Sequence, residues 1–223
     1  MTDLARKPLW PGGPEVSRLC LGTMMFGDQT GTDEARAILD LYLAAGGNFV
    51  DTADVYTNGA SERMLAEILP GRRDEVILAT KFGNAMQGVE GSGGLSAAWA
   101  RRAIDDALAR LGTDRIDLMY LHKDDNVTPP EETLGALDAA MKAGKIGAWG
   151  MSNFRAWKMV EMIRVADAMR VDRPRVYQPY YHMLNRLVEI DTLPACRHFG
   201  MGVVPYTVLA RGELTGTYRG GTP

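Results

Sequence analysis

Apolar residues in this chain come in short unbroken runs, separated by longer stretches where they recur every third or fourth position. The runs EVSRLCLG (15–22), NFVDT (48–52), VILATK (76–81), IDLMYLH (116–122), IGAWGMS (146–152), RVYQPYY (175–181) and GVVPYT (202–207) predict strands. Most are apolar throughout, as strands buried on both faces are. The stretches 32–45, 60–69, 95–111, 131–143, 154–169 and 185–198 carry helical periodicity. Boundary residues support several of these helices. Thr32 followed by Glu34 predicts an N-cap with an acid in the first turn. Ser61-Glu62 predicts a second start and Pro70-Gly71 its stop; Pro129-Pro130 before two glutamates predicts a third start. Gly112 and Gly144 follow predicted helix ends, where a left-handed residue is wanted.

Repeated strand–helix units imply parallel strands joined by right-handed crossovers. Seven strands without a break in composition predict an α/β fold of the (β/α)8 TIM-barrel type rather than a doubly wound sheet, because no G-x-G-x-x-G follows an early strand. Gly-Ser-Gly-Gly at 91–94 reads as a loop. Such a barrel typically needs about 250 residues. The chain has 223 and closes on RGGTP. The expectation is therefore one barrel domain over 1–223, incomplete at its C-terminal end. The eighth strand and last helix would be missing, strands one and seven would have open edges, and the natural protein would be longer.

Composition narrows the partners. Lys plus Arg number 25 and Asp plus Glu 28, giving a net charge of −3 with no long like-charged block. This balance supports neither nucleic-acid nor membrane-surface binding. No apolar run approaches the ~20 residues of a membrane span. The N-terminal MTDLARKPLWPGG lacks a signal peptide's apolar stretch. Cys20 and Cys196 form no metal or redox spacing, and a reducing cytoplasm is expected.

The chemistry concentrates at predicted strand ends. Asp51, Tyr56, Lys81 and His122 close or directly follow consecutive strands. Adjacent parallel strands lie about 5 Å apart, and barrel active sites lie at this C-terminal face. Singly, each residue has an ordinary explanation: Asp51 a turn cap, Tyr56 a packed aromatic, Lys81 a solvated charge. Together they suit proton transfer to a carbonyl oxygen. Tyr56 is the acid, Lys81 beside it is expected to lower the phenol pKa, Asp51 holds the lysine charged, and His122 orients the carbonyl. Lys81 as a Schiff-base nucleophile is an alternative reading. His182 follows a strand end and could border the pocket or sit hydrogen-bonded in a loop. His198 lies at a helix end, and the histidines form no zinc set with the cysteines. Trp99, Trp149 and Trp157 read as packing residues. Met24, Met25 and Trp10 read as core residues or as walls of an apolar substrate pocket.

Several segments carry a family resemblance. VSRLCLGTMMFG, DTADVYTNGASE, ATKFG, LARLGTDRIDLMYLH and GMSNF resemble the aldo-keto reductase superfamily, closest to the branch with potassium-channel β subunits and bacterial general reductases. Thr57 stands where glycine is usual, and Lys123-Asp124-Asp125 replaces a pattern with proline soon after the histidine. The resemblance implies an NADP-dependent, metal-free oxidoreductase acting on a small-molecule carbonyl substrate. It implies that Tyr56 donates the proton, that Lys81 and Asp51 tune it and that His122 orients the substrate. Ser152, Asn153 and Gln178 would bind the nicotinamide carboxamide and Tyr206 would stack on the ring. Thr207, Val208, Leu209, Ala210, Arg211 and Gly212 would approach the pyrophosphate, and Gly22, Thr23 and Met24 would line the site after the first strand. Ser152-Asn153 reads equally as a helix cap. The family's contacts to the adenosine 2′-phosphate lie mostly beyond the seventh strand, so NAD stays open beside NADP. A cofactor-sensing partner protein with slow turnover is the competing function, and oligomeric state is open.

Overall fold

The computed structural model describes residues 4–221. Seven strands pair in chain order, every pair parallel. An N-terminal hairpin, β1 (Arg6–Pro8) and β2 (Glu15–Ser17), precedes them. The sheet consists of β3 (Leu21–Gly22), β4 (Phe49–Asp51), β5 (Ile77–Phe82), β6 (Ile116–Leu121), β7 (Ile146–Ser152), β8 (Val176–Gln178) and β9 (Gly202–Val203). The helices are α1 (Thr32–Ala44), α2 (Ala60–Ile68), α3 (Ala97–Leu111), α4 (Pro130–Lys142), α5 (Ala156–Met169) and α6 (Thr192–His198).

Alternation along the strands builds two apolar layers. One face contributes Phe49, Ala79, Leu118, Tyr120, Ala148 and Val176 to an inner cluster. Leu9 and Val16 of the hairpin segment close that cluster. The other face contributes Val50, Leu78, Met119, Leu121, Trp149 and Met151 to a larger layer. That layer packs on helix residues such as Leu65, Ala100, Ile104, Leu137 and Met159. The sheet is strongly curled. Gln178 on β8 donates to Asp51 on β4, 3.0 Å away and four strands distant. Among the described residues no strand pairs with the outer edge of β3 or β9. The architecture is a partial (β/α)8 barrel, as the sequence pattern predicts.

The elements differ from expectation at particular points. The run 15–22 is two strands, not one. Ser17 turns its hydroxyl onto the Leu19 carbonyl at 2.8 Å, so the chain leaves the hairpin before entering the barrel at Leu21. The run 202–207 contributes only Gly202–Val203 as a strand, because Pro205 has no N–H to extend the ladder. The 185–198 stretch is helical only over Thr192–His198, after a short 3-10 turn at Leu187–Glu189. Thr32 lies inside α1 rather than capping it; Gly31 takes the cap position without a side-chain bond. Ser96 does cap α3, accepting from the Trp99 N–H at 3.2 Å, and Gly112 ends that helix in the left-handed region. Pro130 opens α4 at its first turn. No helix among the described residues is long and apolar enough to cross a membrane.

Candidate active site

The strand ends bring the four chemical groups together. Asp51 is the last residue of β4, Lys81 lies one residue from the end of β5, and His122 directly follows β6. The register sets Asp51 beside Ala79 and Lys81 beside Tyr120. Tyr56 begins a tight turn after β4 in which Thr57, Asn58 and Gly59 all have positive φ. At Thr57 that conformation costs a non-glycine residue about 1 kcal/mol, which accounts for glycine being usual there. At Gly59 (φ 82) a Cβ would lie 2.8 Å from Cδ of Arg110, so the turn has no room for a side chain.

Lys81 is 1% exposed, and its ammonium has three partners. It contacts Asp51 Oδ1, donates to the Thr52 carbonyl at 2.7 Å and donates to the Tyr56 hydroxyl oxygen at 3.2 Å. Asp51 Oδ2 accepts from Gln178 Nε2, so both carboxylate oxygens are engaged. Because Lys81 donates to the phenol oxygen, the phenol proton is free for another acceptor. The His122 ring meets the Tyr56 ring edge-on, centroids 6.1 Å apart.

Burial governs the electrostatics here. It pushes the Tyr56 phenol above its ordinary value, against the lowering effect of Lys81. The expectation of a net lowered phenol is therefore corrected: Tyr56 is a protonated phenol at neutral pH. Burial works against the Lys81 ammonium too, but Asp51 and Tyr56 outweigh it and hold its pKa above the ordinary value. A charged amine with three acceptors is unsuited to Schiff-base attack, which needs the free base. His122 is depressed to about 3, first by burial and then by Lys81 and Lys123, so its imidazole is neutral. Its Nδ1 is buried without a partner.

A cavity of about 920 Å³ opens over these groups. Tyr56 and His122 line it beside Met24 and Met25, with Ser152, Asn153, Gln178, Tyr206, Thr207 and Arg211 on the other side. Asn153, at φ 59, joins three segments. Its amide donates to the His122 carbonyl (2.9 Å) and to Ser152 Oγ (3.0 Å), and its oxygen accepts from the Tyr206 hydroxyl (2.7 Å). Ser152 Oγ donates to the Gln178 carbonyl at 2.8 Å. Beyond Tyr206 the backbone has positive φ at Thr207, Ala210, Arg211 and Gly212. Two of the N–H groups there are used within the loop, Ala210 donating to the Thr207 carbonyl (2.9 Å) and Gly212 to the Leu209 carbonyl (3.1 Å).

Other sequence expectations find different places. Thr23 is fully buried and faces away from the cavity wall; its hydroxyl bonds to the Asp51 carbonyl (3.1 Å) and to Ser61 Oγ (2.9 Å). Gly22 sits beside Asp51 at the mouth with open space where a Cβ would be. Val208 and Leu209 are half-exposed and lie outside the cavity lining, as does buried Ala210. Trp10 packs on the inner cluster at the hairpin, not in the cavity. His182 stacks edge-on against Tyr180 and accepts from the Leu184 N–H, as a loop histidine. Trp157 is exposed rather than packed. Asp125, in the segment that departs from the family pattern, accepts from the main-chain N–H groups of Leu95, Val127 and Thr128, tying two loops beside the site.

Two acids behind the site escaped the sequence reading. Glu62, expected only as part of a helix start, is fully buried; it accepts from Thr80 Oγ1 and Arg110 Nε, both at 2.6 Å. Asp54 is fully buried; the Val55 N–H beside its carboxyl offsets little of the cost of burial, and no side chain bonds to it. The second aspartate of DTADVY and the acid of SE were the available signals, but an acidic letter says nothing of its burial.

The aldo/keto reductase family model matches residues 18–223. An uncharacterized oxidoreductase of Bacillus subtilis, YrpG, is 37% identical over 92% of this chain and 66% of its own length. A probable voltage-gated potassium channel subunit beta of Oryza sativa is 36% identical over 96% of this chain and 67% of its own. Norsolorinic acid reductase A of Aspergillus parasiticus is 37% identical over 91% and 56%. The chain thus spans about two-thirds or less of the length of these relatives. An oxidoreductase, a reductase and a probable channel subunit each align over more than nine-tenths of it, and with the family model over residues 18–223 this chain belongs to the aldo/keto reductase family.

Proposed function

We propose that the protein reduces aldehydes or ketones to alcohols with a nicotinamide dinucleotide, Tyr56 giving the proton. The observation that carries this reading is the buried contact between the Lys81 ammonium and the Tyr56 phenol oxygen. The phenol is neutral before reaction and becomes anionic as its proton moves to the carbonyl oxygen. A fixed ammonium at 3.2 Å stabilises that developing charge more than it stabilises the neutral phenol. Asp51 and the Thr52 carbonyl keep the ammonium charged and aimed. Neutral His122, on the wall beside Tyr56, offers a hydrogen bond that orients the carbonyl without competing as an acid.

The residues on the opposite wall fit the dinucleotide. Ser152, Asn153 and Gln178 combine hydroxyl and amide groups that match a carboxamide, which both donates and accepts. Tyr206 offers an aromatic face. The Arg211 guanidinium, lining the cavity beside Thr207, suits a pyrophosphate. When bound, the cofactor supplies the hydride that the carbonyl carbon receives. Kinship makes NADP the cofactor of this proposal, with NADH as the comparison.

The test is oxidation of NADPH and of NADH against a panel of aldehydes, ketones and sugars, with Tyr56→Phe in parallel. Turnover that Tyr56→Phe loses, with cofactor binding kept, supports the assignment. Wild-type turnover by that variant defeats it. The likeness to a channel β subunit favours a second reading, a cofactor sensor with slow turnover. Tight NADPH binding with no oxidation against the whole panel would select it.

A further inference from the structure

Gln178 joins the proton-transfer groups to the opposite wall of the cavity. It ends β8 and is only 4% exposed, yet it lines the cavity. Its Nε2 donates to Asp51 Oδ2 at 3.0 Å, and Asp51 Oδ1 contacts the Lys81 ammonium. A carboxylate beside an ammonium only accepts, so the amide has one direction open to it: nitrogen toward Asp51, oxygen away. Behind the amide stands Tyr120 of β6. Its ring lies where a Cβ on Gly150 of β7 would come within 3.0 Å, so glycine at that position leaves the ring its place. The Tyr120 hydroxyl is fully buried without a hydrogen bond of its own, and the Gln178 amide is the group that eases its burial. The Gln178 nitrogen is thus turned into the barrel interior. Its Oε1 accepts from no side chain among the described residues and is left to the cavity.

We propose that Asp51 is a positioning residue for cofactor recognition as well as for Lys81: it fixes the Gln178 amide so that the cavity meets its carbonyl oxygen and not its N–H groups. The inference rests on the reading of this wall as the nicotinamide site. The group selected there is one that donates, as the NH2 of a carboxamide does. A methyl ketone of the same shape and charge has no N–H. It leaves Oε1 enclosed and unpaired, and binds more weakly for that reason. The preference depends on residue 51 being an acceptor only. In Asp51→Asn the Lys81 ammonium, which needs an acceptor, takes the oxygen of the new amide. The nitrogen of that amide then faces Gln178, which turns over to accept from it. The Tyr120 hydroxyl serves either arrangement, because it can accept or donate. The cavity is then offered an N–H, which a ketone and a carboxamide satisfy equally.

The experiment is a calorimetric binding titration of the full-length protein with oxidised NADP and with its acetylpyridine analogue, in which a methyl ketone replaces the carboxamide. Wild type should hold the analogue about tenfold or more weakly than NADP; equal affinities overturn the proposal. In Asp51→Asn the two affinities should converge. A merely structural role for Asp51 would weaken both ligands together and keep their ratio at the wild-type value, and that outcome overturns the proposal. Gln178→Met gives a second reading with Asp51 and Lys81 unaltered. It removes Oε1, so the affinities should converge again, and a preference kept at its wild-type size overturns the proposal as well. The wild-type comparison depends on neither variant folding, and none of the readouts needs turnover. If wild type binds neither NADP nor NAD, the dinucleotide reading itself fails and takes the inference with it. That failure is distinct from equal binding of the two ligands, which defeats the inference alone.

Discussion

The two walls of the cavity are built differently. On the β4–β6 wall, Lys81 and Asp51 are buried and their charged atoms are all engaged by neighbouring strands. The other wall runs into the loop after β9, where Val208 and Leu209, outside the lining itself, are 52% and 55% exposed, and the loop's hydrogen bonds stay local, such as Thr215 to Gly212 and Tyr218 to Arg211. The first wall is finished by the fold alone. The second offers left-handed backbone and exposed side chains that a ligand can complete. Proton transfer tolerates little misplacement, so its groups are fixed in advance. On the proposed function a dinucleotide would supply its own contacts, and the loop that meets it could stay open until binding.

The largest test of this contrast is Tyr56→Phe. It removes the proton and leaves the shape. We expect kcat to fall by about 100- to 10,000-fold, with the cofactor Kd within about twofold, read by steady-state turnover and by titration of cofactor fluorescence. An equal loss in Kd would mean that the two walls are not separable.

Lys81→Met comes next, and it acts on the fold. Asp51 would remain buried with one carboxylate oxygen emptied, a loss of about 3–5 kcal/mol in urea unfolding. Adding Asp51→Asn should recover most of it. Recovery of stability without recovery of turnover would separate the structural ion pair from its catalytic use.

The sequence made the first wall readable because its residues end long, doubly buried strands. VILATK and IDLMYLH leave little choice of register, so Lys81 and His122 had to arrive at the same face. The hairpin was illegible: Arg6–Pro8 is three exposed residues ending in proline, with no alternation to detect. The net state of the phenol was illegible for a different reason. Proximity to Lys81 follows from strand order, but the desolvation that outweighs it depends on the whole enclosure. The same holds for Glu62 and Asp54, whose burial is decided by α3 arriving from about fifty residues away, where Arg110 takes up the Glu62 carboxylate. On the second wall, Ser152, Asn153, Gln178 and Tyr206 are reached through the family resemblance rather than from their placement along the strands. Thr23 was misread: its position after β3 suggested the cavity, but its hydroxyl is used to pin β4 to α2.

Stability against pH sharpens the picture of the finished wall. Asp54 rises from 3.8 to about 7 in the fold. The unfolded chain therefore gives up that proton first, and stability from this group is lost as pH climbs from about 4 to 7. His122 falls from 6.5 to about 3. The unfolded chain takes that proton first, and stability is lost as pH drops below 6.5. The two slopes oppose each other between pH 4 and pH 6.5. Asp54→Asn should remove one of them, so that the variant gains on wild type by up to roughly 4 kcal/mol between pH 4 and pH 7. Urea midpoints at several pH values give the difference. A constant gap across that range would mean that Asp54 is ionised throughout.

The smallest expected effect tests the link between the walls. Asn153 receives the Tyr206 hydroxyl and donates to the His122 carbonyl, so one side chain spans both. Its left-handed backbone disfavours that position unless the surrounding bonds hold it. Tyr206→Phe removes one of those bonds and keeps the aromatic face. The loss of about 1 kcal/mol corresponds to roughly a fivefold weaker cofactor Kd. At saturating cofactor, kcat and its alkaline midpoint should match wild type, because the bonds around Lys81 and Asp51 do not pass through Asn153. A drop in kcat comparable with that of Tyr56→Phe would mean that the open loop positions the acid after all, and the division between a finished wall and a ligand-completed one would fail.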